Sequence, residues 1–267
     1  MVTDECNFNC AHCMRGASGN CQVSDETIEN LFNQVNFITN LCFCGGEPLM
    51  AIERINKIIK MAIKKKVIIN TFGLATNGTH YGDEIDTLFA EFEEYVAQFD
   101  DMFAPDPRFA NETKHGYLDL SWDEYHTQQL MFIQETNPDL FKIYAQNIQN
   151  LRASKFFGGY RIIANRLFDE GNARNLKILK TQLQAVKKYW TLSNDILLYG
   201  PLISVKQDGM ISECDGSLET LRARFNYGNI NHDALEDIIY KTAKKCRNED
   251  VWHKKVLKST HHYIHYH

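Results

Sequence analysis

The chain has 267 residues, of which 44% are hydrophobic and 24% are charged. This composition supports a sizeable folded core and excludes a chain that is disordered throughout. The formal net charge of -5 gives no reason to expect nucleic-acid binding, and we expect none. No apolar run reaches the roughly 20 residues that a membrane span needs, and no secretory signal is visible at the start. We therefore expect a cytoplasmic protein without membrane contact.

Apolar runs alternate with amphipathic stretches over most of the chain. The patterns predict helices near 25–35, 49–66, 83–99, 123–153 (with a break at Pro138) and 173–190. They predict strands at 36–43, 67–71, 117–121, 160–165 and 196–205. Strands that alternate with helices in this way are typical of parallel βαβ units.

The pattern changes after Val205. Asp208 and Gly209 predict a hairpin turn, residues 228–230 a second turn, and residues 234–245 a short helix. We therefore predict a core of residues 1–205 and a small carboxy-terminal appendage of residues 206–267.

Three of the eight cysteines fall within the first 13 residues. Cys6, Cys10 and Cys13 have the spacing C-x3-C-x2-C, which favours a metal or cluster site over disulfides in a chain without a secretory signal. Three thiolates without an obvious fourth partner indicate an iron–sulfur cluster with one open iron. A structural zinc site, which would need a fourth ligand, and a chance arrangement are the alternatives.

Three polar or glycine-containing motifs follow predicted strands. They are Cys44-Gly45-Gly46, Thr76-Asn77-Gly78 and Ser121-Trp122-Asp123. Functional sites of parallel β/α folds lie at the carboxyl ends of the strands, so we expect the site there. Alternatively, Ser121 or Asp123 could cap the next helix, and Asn77-Gly78 could be only a turn.

Two segments resemble motifs of the radical SAM superfamily. Residues 6–13 (CNFNCAHC) resemble its cluster loop, with His12 at the usually aromatic position, and residues 43–48 (FCGGEP) resemble its GGEP motif, with Cys44 where Thr is frequent. The resemblance covers about residues 1–205. It implies an α/β fold, a partial (β/α)6 TIM-like barrel with a small α+β appendage.

The same resemblance implies cofactors and chemistry. A [4Fe–4S] cluster on Cys6, Cys10 and Cys13 would bind S-adenosylmethionine at its open iron. Reductive cleavage would then yield a 5′-deoxyadenosyl radical that abstracts a hydrogen atom from a substrate. A non-catalytic iron–sulfur sensor or electron carrier is the alternative.

The resemblance also assigns contacts to S-adenosylmethionine. Gly45 and Gly46 let the backbone approach the ligand closely, since glycine has no Cβ, and Pro48 completes the cofactor-binding motif. Glu47 accepts a charge-assisted hydrogen bond from the methionyl ammonium group.

Further cofactor contacts are expected in the cluster loop and at the strand ends. His12 would lie close to the adenine, and Ser121 corresponds to the family's ribose or carboxylate contact. Asn77 and Asp123 are additional candidates at neighbouring strand ends.

Residues 203–246 resemble the SPASM or twitch appendages of radical SAM enzymes. Only Cys214 and Cys246 lie there, too few for a second cysteine-ligated cluster. Together with residues 121–126, Cys214 resembles radical SAM peptide epimerases, in which a thiol returns a hydrogen atom to the substrate; a buried structural thiol is the alternative. We expect a peptide substrate, with a small metabolite as the alternative, and an electron donor such as flavodoxin or ferredoxin.

Overall fold

The structure is a computed structural model that describes residues 1–102, 115–161, 167–168, 170–176, 183–184, 203–212 and 216–245. The helices are α1 (Asp25–Phe32), α2 (Ile52–Lys64), α3 (Asp83–Val96), α4 (Glu124–Thr136), α5 (Pro138–Ala153), α6 (Leu218–Arg224) and α7 (Leu235–Lys245). The strands are β1 (Phe37–Phe43), β2 (Ile68–Thr76), β3 (Gly116–Ser121), β4 (Phe157–Arg161), β5 (Leu167–Phe168), β6 (Leu183–Gln184), β7 (Ser204–Val205), β8 (Met210–Ser212) and β9 (Gly228–Asn229). Short 3-10 helices span Pro48–Ala51, Ala97–Met102 and Gly171–Asn175.

The main sheet has four strands in the order β1-β2-β3-β4, and all neighbouring pairs are parallel. Helices lie between successive strands along the chain, which confirms the predicted α/β class with parallel βαβ units. Because the strands are parallel, their carboxyl ends share one edge of the sheet. We call this edge, with the loops that follow it, the carboxyl edge.

Local sequence signals explain the helices that cover the sheet. Ser24 caps α1 by accepting a hydrogen bond from the backbone N–H of Thr27 at 3.0 Å. In α2, Ile55, Ile59 and Ala62 recur at helical spacing and are buried. Pro138 starts α5 and thereby ends α4, as the sequence predicted, because proline fits the first position of a helix but not its interior.

Aromatic side chains form the centre of the core. Phe72 of β2 packs against Phe89 and Phe92 of α3 at ring-centroid distances of 5.1 and 4.6 Å. Phe89 in turn packs against Phe156, which precedes β4, at 5.5 Å. These four rings are fully buried, so the stability of the sheet depends on apolar burial.

The carboxy-terminal unit contains an antiparallel sheet, in which β8 pairs with both β7 and β9. The turn predicted over 228–230 is wrong at its first two residues, because Gly228 and Asn229 form β9 against β8. The turn begins at Ile230. The predicted helix over 234–245 is confirmed as α7. The unit contacts α1, since the backbone carbonyl of Gln207 accepts from the Thr27 hydroxyl at 3.3 Å. The boundary at residue 205 stays a prediction.

The predicted helix over 173–190 is wrong for the residues that the structure describes. They form the end of a 3-10 helix at Gly171–Asn175 and the strand β6, which pairs in parallel with β5. An amphipathic pattern favours a helix, but pairing with a neighbouring strand can override it. Among the described residues, none of the helices is both long and apolar enough to cross a membrane.

Candidate functional site

Cys6, Cys10 and Cys13 lie in a loop, residues 6–13, that we call the cluster loop. Its backbone is shaped locally: the N–H of Phe8 donates to Cys6 Sγ at 3.5 Å, and the N–H of Cys13 donates to the Cys10 carbonyl at 3.1 Å. At its start, the N–H of Cys6 donates to the Ser18 hydroxyl at 2.8 Å. The loop therefore has a defined conformation that presents three thiols.

The three thiols are close enough to influence one another's protonation. Burial, together with the charges of Glu47 and Cys13, raises the pKa of Cys6 to about 11. Burial and the neighbouring cysteines raise the pKa of Cys10 to about 12. Without metal, Cys6 and Cys10 therefore hold their protons, and metal binding would release these protons.

A second group of metal-ligating side chains lies at the cluster loop. Ligand atoms of His12, Asp123 and His126 all lie within 4.8 Å of one another. For Cys6, Cys10 and Cys13, a zinc ion with a fourth ligand stays the alternative to a cluster.

The backbone of Gly45 and Gly46 is pressed against the amino-terminal residues. A Cβ on Gly45 would lie 2.4 Å from the Thr3 carbonyl oxygen, and one on Gly46 would lie 2.4 Å from that of Glu5. The N–H of Gly46 donates to Thr3, and that of Glu47 donates to Glu5. The contact with the backbone of residues 3 and 5 is enough to require glycine at both positions. A close contact of the same backbone with S-adenosylmethionine stays a prediction.

Glu47 is buried and connects separate parts of the site. Its Oε1 accepts from the N–H of Leu49 at 3.0 Å and from the Thr76 hydroxyl at 2.7 Å. Its Oε2 accepts from the N–H of Asn77 at 2.7 Å. Burial raises the pKa of this carboxyl even though the three hydrogen bonds oppose the shift. Pro48 is buried beside it and begins the following 3-10 helix.

Asn77 connects the end of β2 to the cluster loop. Its Nδ2 donates to Asn7 Oδ1 at 3.0 Å, while Asn7 Nδ2 donates to the Thr79 hydroxyl at 2.9 Å. Gly78 has a φ of +77°, which makes the tight turn after the strand. The predicted turn is present, and its side chains hold the loop.

The end of β3 brings Asp123 to the other side of the loop. Asp123 caps α4: its Oδ1 accepts from the N–H groups of Tyr125 and His126 and contacts His126 Nδ1 at 2.8 Å. Its Oδ2 lies 3.5 Å from His12 Nε2. His12 also stacks on Tyr125 at a centroid distance of 4.5 Å and an angle of 23°.

Burial and neighbouring charges shift the pKa values of His12 and Asp123 in opposite directions. Burial lowers the pKa of His12, partly offset by Asp123. Burial would raise the pKa of Asp123, but the hydrogen bond and charge of His126 hold it below its usual range. Among the described residues, His12 Nδ1 and Asp123 Oδ2 are buried atoms without a hydrogen-bond partner. Two such polar atoms, one in the cluster loop and one at the start of α4, are suited to a polar ligand.

The structure thus brings most predicted residues to one edge. Ser121 ends β3 and is half-buried, and its backbone pairs with Arg161 of β4. Cys214 and Cys246 lie outside the described residues, so the role of Cys214 stays a prediction.

Sequence reasoning missed several side chains that shape the site. Tyr125 and His126 were not predicted as site residues, although Asp123 and His126 stand three residues apart, a spacing that places both on one face at the start of a helix. Asn7 and Gln129 also hold the loop; Gln129 Oε1 accepts from the N–H of Asn9 at 3.0 Å. No local pattern indicates such contacts between distant residues.

Comparison with known proteins bears on the cofactor. Residues 1–131 match the family model of the 4Fe-4S single cluster domain. This match confirms the predicted [4Fe–4S] cofactor, whereas the assignment of Cys6, Cys10 and Cys13 as its ligands stays a prediction. A comparison with curated proteins gives no match.

A solved structure, described as native anSMEcpe with bound AdoMet and Cp18Cys peptide, is similar to this chain. The sequence identity is 17%, the TM-score is 0.49, and the alignment covers 97% of this chain and 81% of that one. A likeness at this level assigns no substrate and no reaction to the present protein.

Proposed function

We propose that this protein is a radical SAM enzyme. The observation that carries the proposal is the junction at the carboxyl edge, where the cluster loop, the residues Gly45–Pro48 and the end of β2 are joined by hydrogen bonds of Glu47 and Asn77. When bound, the [4Fe–4S] cluster and S-adenosylmethionine supply a 5′-deoxyadenosyl radical that abstracts a hydrogen atom from the substrate.

In this proposal the chain holds and orients both cofactors. Cys6, Cys10 and Cys13 ligate three irons of the cluster and leave the fourth open. Glu47 has one acceptor site left on Oε2, since a carboxylate oxygen accepts about two hydrogen bonds and this one takes the N–H of Asn77. That site can orient the methionyl ammonium group, with the backbone of Gly45 and Gly46 beside it.

The adenosyl part is assigned to the side of the loop that faces α4. His12 is held by its stacking on Tyr125, and its Nδ1 can exchange a hydrogen bond with the adenine. Asp123 Oδ2 can accept from a ribose hydroxyl, as can Ser121 at the end of β3. Pro48 closes the GGEP segment and fixes the direction of the backbone after Glu47.

The experiment is an assay for 5′-deoxyadenosine after anaerobic reconstitution with iron and sulfide and reduction with dithionite. Wild-type protein is expected to release 5′-deoxyadenosine from S-adenosylmethionine, and Cys10→Ala is expected to release none. Cys21→Ala is the matched control, because Cys21 is an exposed cysteine outside the cluster loop. A brown protein that never yields 5′-deoxyadenosine would favour the sensor or electron carrier, and a colourless one would favour zinc.

For the substrate we propose a peptide, on the resemblance of residues 203–246 to the appendages of peptide-modifying radical SAM enzymes. Cys214 then returns a hydrogen atom to the substrate radical, as in epimerisation, and a flavodoxin or ferredoxin supplies the electron. In deuterated solvent, wild-type enzyme should place deuterium in the product and Cys214→Ala should not. Equal incorporation by both would remove Cys214 from the mechanism.

A further inference from the structure

A short segment far along the chain, Glu170–Leu176, lies directly against the cluster loop. Asn172 makes the contact: its backbone N–H donates to the Cys13 carbonyl at 2.9 Å. Its Nδ2 donates to the Cys10 carbonyl at 3.1 Å and to Asn9 Oδ1 at 3.0 Å. One residue therefore donates to the carbonyls of two of the three cysteines, which also accept from the N–H groups of Cys13 and Gly16.

The approach is close enough to require glycine next to Asn172. Gly171 has a φ of +54°, and a Cβ there would lie 2.5 Å from the Cys13 carbonyl oxygen and 2.5 Å from the Gly16 nitrogen. A side chain would push the segment away from the loop. The sequence Gly171-Asn172 is thus fitted to this contact.

Glu170 ties the same segment to the carboxy-terminal unit. Its buried Oε2 accepts from the hydroxyls of Ser217 and Thr220 at 2.8 and 2.7 Å, and from Arg174 Nη2 at 3.0 Å. Arg15, just after the cluster loop, donates to the Gly216 carbonyl at 3.0 Å. The carboxy-terminal unit therefore supports the segment that holds the loop.

We infer that Asn172 is a positioning residue of the cluster loop, held in place by the link from Glu170 to α6. The inference rests on the proposed role of the three cysteines as cluster ligands. Asn172 fixes the direction of the Cys10 and Cys13 carbonyls, and with them the backbone from which two ligating thiols project. Its loss frees the loop without disturbing the apolar core of the sheet.

The test compares wild-type protein with Asn172→Ala, and with Asn175→Ala as the matched control on an exposed position of the same 3-10 helix. Hydrogen exchange of the cluster-free protein gives a readout independent of activity. Asn172→Ala should raise the exchange rate of residues 6–16 about five-fold and leave β2 unchanged, because only local hydrogen bonds are lost. Asn175→Ala should exchange like wild type.

The second readout is the release of iron from the reconstituted protein to a chelator. We expect Asn172→Ala to release iron about five-fold faster than wild type and Asn175→Ala. Wild-type exchange and release rates in Asn172→Ala would overturn the inference, and so would faster exchange in β2 as well as in the loop. Wild-type protein that takes up no cluster would instead overturn the proposed function itself, together with this inference.

If Asn172→Ala does not fold, Asn172→Asp is the variant used for the same two measurements. It keeps the backbone donor and the size of the side chain but replaces the donating amide with a carboxylate facing the Cys10 carbonyl. It should release iron at least as fast as expected for the alanine variant. If neither variant folds, Asn172 supports the whole chain rather than the loop, and the inference is wrong.

Discussion

Phe72 packs against Phe89 and Phe92 in the core, and all three rings are fully buried, whereas amide side chains hold the cluster loop. Asn7 and Asn9 of the loop bond to Asn77, Thr79, Gln129 and Asn172. A packed core is stabilised by the area that it buries, and such stabilisation tolerates small shifts. Hydrogen bonds depend on direction as well as distance, so the loop is suited to fixing the positions of thiols.

The two regions should respond differently to substitution. Loss of a core ring should cost the most stability, while loss of a contact near the loop should cost less stability and weaken cofactor binding. The variants below run from the largest expected effect on stability to the smallest.

Phe72→Ala should have the largest effect, because it leaves a cavity among fully buried rings. We expect the free energy of unfolding to fall by about 3–5 kcal/mol, measured by urea denaturation of the cluster-free protein. Phe132→Ala is the control, since Phe132 is 61% exposed. Equal small losses for both variants would mean that the aromatic cluster is not the core.

Glu47→Gln should destabilise the cluster-free protein by about 1–3 kcal/mol. Glutamine has one accepting oxygen where glutamate has two. One buried donor among Leu49, Thr76 and Asn77 therefore loses its hydrogen-bond acceptor. The same denaturation experiment measures the loss, with exposed Glu53→Gln as the control. Stability like that of the control would contradict the connecting role of Glu47.

Gly46→Ala should cost about 1–3 kcal/mol, because its Cβ would meet the backbone of Glu5. We also expect iron uptake on reconstitution to fall, since residue 5 adjoins the first cysteine. Iron analysis and denaturation together check both expectations. An alanine variant with wild-type stability and iron content would show that the close approach is not needed.

Asp123→Ala should have the smallest effect on stability, about 1 kcal/mol, which is usual for loss of a helix N-cap. Asp123→Asn should cost almost nothing, because asparagine also accepts from the N–H groups of Tyr125 and His126. Thermal unfolding of the cluster-free variants distinguishes the two. If both lose the same stability, the negative charge beside His12 and His126 matters more than the cap.

The contrast between the apolar core and the polar contacts of the cluster loop also explains what the sequence could and could not predict. The parallel sheet, the break at Pro138 and the helix α7 follow from local periodicity and from proline, so they were predicted correctly. The helix expected over 173–190 was wrong for the residues that the structure describes, and so were the first two residues of the turn expected over 228–230. At residues 183–184 and 228–229, pairing with another strand decides the local structure.

The residues of the site also divide into those that a local sequence pattern indicated and those that only the structure shows. The spacing of Cys6, Cys10 and Cys13 and the glycine pair are local patterns, and they led to the predicted [4Fe–4S] cofactor. Two of the three partners of Glu47, Thr76 and Asn77, lie 29 and 30 residues away, and Asn172 lies 162 residues from Cys10. No periodicity relates residues at such separations, so only the folded chain shows which side chains support the loop.

The most direct test of the proposed chemistry is the electron paramagnetic resonance spectrum of the reduced, cluster-loaded protein with and without S-adenosylmethionine. Under the proposal, Cys6, Cys10 and Cys13 leave one iron open, so a change of the spectrum on addition of S-adenosylmethionine is expected. A spectrum of a reduced [4Fe–4S] cluster that stays unchanged at saturating S-adenosylmethionine would contradict the account.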